Sequence, residues 1–212
     1  MKLSIVIPAY NEEARIGGCL NSILAEMNGK NYDMEIIAVN NASTDKTGEI
    51  IASFSQVKLV NEPSKGLVKA RRAGYLASTG ELVANIDADT RMTPGWLDQV
   101  FKEFSKNKKL VALSGPFIYY DLSKNARAAV KTFYYLGFFS YLINRYVLGV
   151  GSMLQGGNFV VKREALEAIG GFNSDFDFWG DYFSTIFFKK PYETVKRDFK
   201  VKYANTMAKI KE

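Results

Sequence analysis

The chain has 212 residues, 47% of them hydrophobic and 24% charged, with a net charge of +6. That length suits one sizeable core, and no Gly/Ser/Pro-rich linker or internal repeat divides it, so one domain over residues 1–212 is expected. The single Cys19 excludes an internal disulfide, and the absence of histidine excludes both a zinc-hydrolase His cluster and a Ser-His-Asp triad.

The elements alternate from the start of the chain. Residues 3–7 read as a buried strand that stops at Pro8, and the stretch 3–9, with Ser4 and Pro8 inside it, does not read as a signal peptide. Ile16, Leu20, Ile23, Leu24 and Met27 then recur at helical spacing. A strand at 35–40, a helix at about 44–53, a strand at 57–60, a helix around 65–77 and the apolar run Leu82-Val83-Ala84-Asn85-Ile86 follow. Repeated strand–helix units predict an α/β fold with a largely parallel sheet covered on both faces. Ligands of such sheets bind beyond the carboxyl ends of the strands. Three loops are expected there: Ala9-Tyr10-Asn11-Glu12, Asn40-Asn41-Ala42-Ser43-Thr44-Asp45 and Asp87-Ala88-Asp89.

Asp87 and Asp89 lie two positions apart at a strand end, which sets both carboxylates on one side of an extended chain. Hard divalent cations such as Mg²⁺ and Mn²⁺ take one or two carboxylates plus substrate phosphates, so the pair is a seat for a cation or simply a strand-end turn. Without histidine, any general base is a carboxylate, Tyr, Lys or Cys19. No Gly-x-Gly-x-x-Gly follows the first strand and no Gly-Lys-Ser/Thr loop occurs, so dehydrogenase and P-loop readings drop away.

Four stretches carry a resemblance: Ser4-Ile5-Val6-Ile7-Pro8-Ala9-Tyr10-Asn11-Glu12-Glu13, Asn41-Ala42-Ser43-Thr44-Asp45, Gly66 to Gly74, and Gly80-Glu81 running to Asp87-Ala88-Asp89. In order and spacing they resemble the inverting family 2 glycosyltransferases of the glycosyltransferase A fold. Weaker similarity continues through Gly156-Gly157-Asn158 and Gly170-Gly171-Phe172. The resemblance implies a single-domain, Rossmann-like, mostly parallel mixed sheet flanked by helices, with residues 1–90 binding a nucleotide-sugar donor and 91–212 forming the acceptor half.

Site roles follow from the same resemblance. Pro8, Ala9, Tyr10, Asn11 and Glu12 offer backbone groups and an aromatic face to a base, or end the strand with Asn11 as a helix cap. Asn41 stands where many relatives carry an Asp that accepts from a uracil ring nitrogen, which opens the nucleotide's identity. Ser43, Thr44 and Asp45 read as caps of the next helix. Arg71 is placed toward the donor diphosphate, and Arg72 stands where the family most often has Asn. Asp87 is implied beside the ribose or metal, with Ala88 between it and Asp89, the implied ligand of Mg²⁺ or Mn²⁺. Gly156, Gly157, Asn158, Trp179 and Gly180 fall on the acceptor side, and Asp181 is the implied catalytic base, with Asp175 and Asp177 as competitors.

From 122 to 163 there is no acidic residue, yet Lys124, Arg127, Lys131 and Arg145 flank an aromatic run. The uncharged part of this basic helical segment, near 124–148, is shorter than the roughly 20 residues that cross a bilayer. It is expected to lie on a membrane surface or to pack internally or at a dimer contact. The lone Cys19 fits a reducing, cytoplasmic home, and the acceptor is a glycan or a polyprenyl-lipid; under the membrane alternative the protein is peripheral at the inner face of the cytoplasmic membrane and the acceptor is the lipid. Basic residues mixed with bulky aliphatics suit lipid better than a nucleic-acid groove. A catalytically silent nucleotide-sugar-binding scaffold is the competing reading.

Overall fold

The computed structural model describes residues 1–115, 117–119, 122–147, 156–168, 170–172, 200–203 and 207–209. Strand β1 (Leu3–Ala9) is buried along its whole length, which is why it reads as a continuous apolar run and not an alternating one. It pairs in parallel with β2 (Met34–Asn41) from Leu3 opposite Met34 to Ala9 opposite Asn40, and with β4 (Leu82–Ile86) only as far as Val6 opposite Asn85. The strand therefore runs through Pro8 and does not stop there. The side that faces β4 is open beyond Val6, so a residue without an N–H interrupts no ladder on that side.

The seven-stranded sheet has the order β3-β2-β1-β4-β8-β6-β9, with β3 at Val57–Glu62, β6 at Leu110–Ser114, β8 at Asn158–Lys162 and β9 at Lys200–Tyr203. Strands β1 to β4 are mutually parallel, whereas β8 runs antiparallel to both β4 and β6. A smaller sheet sets β10 (Met207–Lys209) between β5 (Thr90–Arg91) and β7 (Phe117–Tyr119).

Helices cover both faces. Ile5, Ile7, Ala84 and Ile86 meet α1 (Ile16–Met27) and α4 (Trp96–Lys106) through Leu20, Ile23, Trp96, Leu97 and Phe104. Val6, Val39, Val83 and Phe159 face α3 (Leu67–Ala77) and α6 (Arg163–Ala168). α3 approaches closely because Gly74 has no Cβ: one added there would overlap Val6 and stand 3.0 Å from Val39 Cγ2. α4 presents Trp96, Leu97, Val100, Phe101 and Phe104 inward, and α1 caps it: Glu26 Oε1 accepts from the Gly95 and Leu97 N–H groups at 2.9 and 3.3 Å. The short α2 (Thr47–Ala52) follows β2, and α5 (Lys124–Tyr146) is the longest helix described.

Candidate active site

Because β1, β2 and β4 are parallel, their carboxyl ends share one edge of the sheet. β8 is antiparallel, so its amino end joins them, with Asn158 opposite Ile86. Asp87-Ala88-Asp89, Tyr10–Glu12, the loop after Asn41 and Gly156-Gly157 thus meet at one rim.

The first two loops are bound into a unit. Asn11 adopts φ +52 and its Oδ1 accepts from Thr44 N–H at 2.8 Å, while its own N–H donates to Ser43 Oγ at 3.1 Å. Glu12 N–H donates to Thr47 Oγ1 at 2.7 Å, Glu13 N–H to Asp45 Oδ2 at 3.1 Å and Lys46 N–H to Glu13 Oε2 at 3.1 Å. Burial pushes the Asp45 carboxyl up, but hydrogen bonds from Thr47 and from the Glu13 backbone outweigh it and hold the group below its ordinary range. Asn11 is therefore a bridge between loops and not the cap of α1, whose cap position is Arg15. Asp45 receives the Thr47 N–H at 3.0 Å ahead of α2, whereas Ser43 and Thr44 bond back to Asn11.

Tyr10 stands at the rim, 39% exposed, with the Lys65 ammonium 4.0 Å above its ring. Pro8 and Ala9 are buried in β1, so only their backbone can serve a ligand. Asn41 is 3% exposed and its amide is engaged at both ends. Nδ2 donates to the carbonyls of Glu62 and Ser64 at 3.2 and 2.7 Å, and Oδ1 accepts from Gly66 N–H at 2.8 Å. It ties the end of β2 to the entry of α3.

Arg71 is 2% exposed, and it meets Asp87 at 3.5 Å, with its guanidinium 5.7 Å from the centre of the Phe159 ring. The guanidinium steadies the Asp87 carboxylate by charge. Gly157 adopts φ +78, and a Cβ there would overlap the Asp87 carboxylate. Asp87 N–H donates to Gly157 O at 3.3 Å. Asn158 faces inward: Oδ1 accepts from Trp96 Nε1 at 3.2 Å and Nδ2 donates to Gly115 O at 2.9 Å. Its amide holds the rim together beneath the surface. Ala88 is buried, and Asp89 is partly exposed with Oδ1 3.4 Å from the Thr90 hydroxyl. Trp179, Gly180 and Asp181, with Asp175 and Asp177, lie outside the described residues.

One polar residue beneath the rim is hidden in the apolar run: Asn85, 1% exposed, opposite Val6 and Phe159 and two positions before Asp87. Neither of its amide atoms has a hydrogen-bond partner among the described residues. An Asn inside a run that is otherwise aliphatic was the available signal.

Among the described residues no three His, Cys, Asp or Glu side chains converge on a metal position. Asp87 and Asp89 supply two carboxylates at the end of β4, which fits a Mg²⁺ or Mn²⁺ that completes its shell with phosphate oxygens and water. Cys19, whose Sγ lies 3.7 Å from Asp87 O, has its thiol pushed far up, first by burial and then by the charges of Asp89, Asp87 and Glu12.

Taken together, sheet order and rim define an α/β protein of the glycosyltransferase A fold. Solved structures share it: a mannosyltransferase of Pyrobaculum calidifontis in complex with GDP-Man and Mn²⁺ superposes with a TM-score of 0.70 at 21% identity, over 98% of this chain and 56% of that one. Glucosyl-3-phosphoglycerate synthase of Mycobacterium tuberculosis, in complex with Mn²⁺, UDP-glucose and phosphoglyceric acid, gives 0.66 at 18% identity, over 100% and 72%. The model of glycosyl transferase family 2 matches residues 4–170, and the chain belongs to that family. An uncharacterized glycosyltransferase of Nostoc is 32% identical over 109 residues, and a dolichyl-phosphate beta-glucosyltransferase of Trichomonas vaginalis is 30% identical over 149. These matches cover 49% and 64% of this chain and span 33% and 44% of the relatives' lengths.

Proposed function

We propose that the chain transfers a sugar from a nucleotide-diphosphate donor to a hydroxyl or phosphate acceptor by single displacement with inversion. The observation that carries this reading is the Asp87-Ala88-Asp89 strand end, set against Arg71 and Gly157 on the same sheet edge as the joined loops at Tyr10–Glu13 and Ser43–Thr47. The names of relatives and neighbours supply its chemistry: GDP-Man or UDP-glucose with Mn²⁺ in two structures, and a dolichyl-phosphate acceptor in one relative, which favours a lipid-linked acceptor here.

Tyr10 offers the nucleobase a ring face, and the backbone at Ala9 and Asn11 lies beside it. Arg71 keeps Asp87 oriented toward the ribose side. Asp89, with Asp87 beside it, would hold Mg²⁺ or Mn²⁺, which when bound supplies Lewis-acid stabilisation of the departing nucleoside diphosphate. Asp181 would take the acceptor's proton as its oxygen attacks the anomeric carbon.

The test is a donor screen with Mn²⁺ or Mg²⁺ against UDP-, GDP-, dTDP- and CDP-sugars. One nucleoside diphosphate should be released, and Asp89→Asn or chelation should reduce release by about 100-fold or more with the fold retained by circular dichroism. Absence of binding to every donor would move the protein to a silent scaffold. Wild-type turnover in Asp181→Asn would remove the base assignment.

A further inference from the structure

We infer that α5 is a docking surface for an anionic lipid bilayer, on which the helix lies flat. Along α5, Ala126 and Val130 are partly covered by the protein, but every described side chain from Lys131 to Ser140 is exposed. Large apolar side chains predominate among them, with Phe133 at 72%, Phe139 at 63% and, farther along, Val147 at the C-cap at 75%. At about 100° per residue, Leu136, Phe139, Ile143 and Val147 share one arc with Phe133, and Lys124, Arg127 and Lys131 form the next arc round the helix.

A stripe of rings and aliphatics bordered by cations is the pattern of an interfacial helix, whose apolar side enters the headgroup boundary while the Lys and Arg heads reach lipid phosphates. Charge selects this occupant over the others. No acidic residue occurs from 122 to 163, so a second copy would set one cationic helix against another, on a chain already at +6. A nucleic acid would use the cations but leave Leu136, Ile143 and Val147 in water. Among the described residues no helix is long and apolar enough to cross a membrane, which leaves the surface orientation.

The experiment is sedimentation of the whole chain with vesicles of phosphatidylcholine alone and with about one third phosphatidylglycerol. Binding to the anionic vesicles should be at least about tenfold stronger and should fall with salt. Exchanging Lys124, Arg127 and Lys131 for Gln should abolish the preference for anionic vesicles. Phe133→Ser with Leu136→Ser and Phe139→Ser should abolish binding to both, with circular dichroism showing the fold retained. No binding to anionic vesicles overturns the inference. So does self-association that these Ser exchanges abolish while vesicle binding stays absent, because α5 would then belong to a second copy. The docking inference does not rest on sugar transfer, since vesicle binding is read without donor or metal and its failure leaves nucleoside diphosphate release untouched.

Discussion

At the residue scale, the rim separates side chains that can meet a ligand from those that hold the rim in shape. Tyr10 is exposed and Asp89 partly so, whereas Asn41 and Asn158 spend their amides on the protein and the buried Arg71 meets Asp87. This distinction was not legible in the sequence, because a motif records which residues cluster but not which partner each one takes. Asn41→Asp would aim a carboxylate oxygen at the Glu62 and Ser64 carbonyls, so it should destabilise the protein by about 1–3 kcal/mol in urea melts. Gly157→Ala meets both the positive φ and the Asp87 carboxylate. It should cost roughly 1–3 kcal/mol and reduce nucleoside diphosphate release more than tenfold, measured on protein held below its melting temperature.

At the element scale, strand and helix order in the first 90 residues was readable because apolar runs and 3.6-residue spacing both survive burial on two sides. The end of β1 was not, since a proline breaks a strand only where its missing N–H faces a partner. α4 carried a usable signal, the inward set Trp96, Leu97, Val100, Phe101 and Phe104, that had no motif to draw attention to it. Two side chains tie elements together and are open to test. Glu26→Ala removes the acceptor at the start of α4 and should lower stability by about 1–2 kcal/mol. Glu35 accepts from the Ser4 hydroxyl at 2.6 Å and from Thr79 N–H at 2.6 Å. Burial would raise its pKa, but these bonds and the Lys2 charge bring it down from 4.5 to about 2. The folded state thus resists protonation more than the unfolded chain does. That stabilisation is complete above about pH 4.5 and is lost as pH falls toward 2. Glu35→Gln should therefore flatten the acid limb of stability in that window, by roughly 1–2 kcal/mol once partial exposure is allowed for.

At the scale of the whole molecule, the sheet is assembled out of sequence order, with β8 filling the place between β4 and β6. Strand β6 has both of its neighbours, β8 and β9, later in the chain, and α5 is interposed before either one. On the ribosome, then, β3-β2-β1-β4 can close while residues 110–114 still wait for an edge, and the aromatic α5 emerges during that interval. A nascent chain arrested before residue 158 should show protease protection across β1 to β4 and ready cleavage near β6, and protection there should arrive only as β8 leaves the exit tunnel.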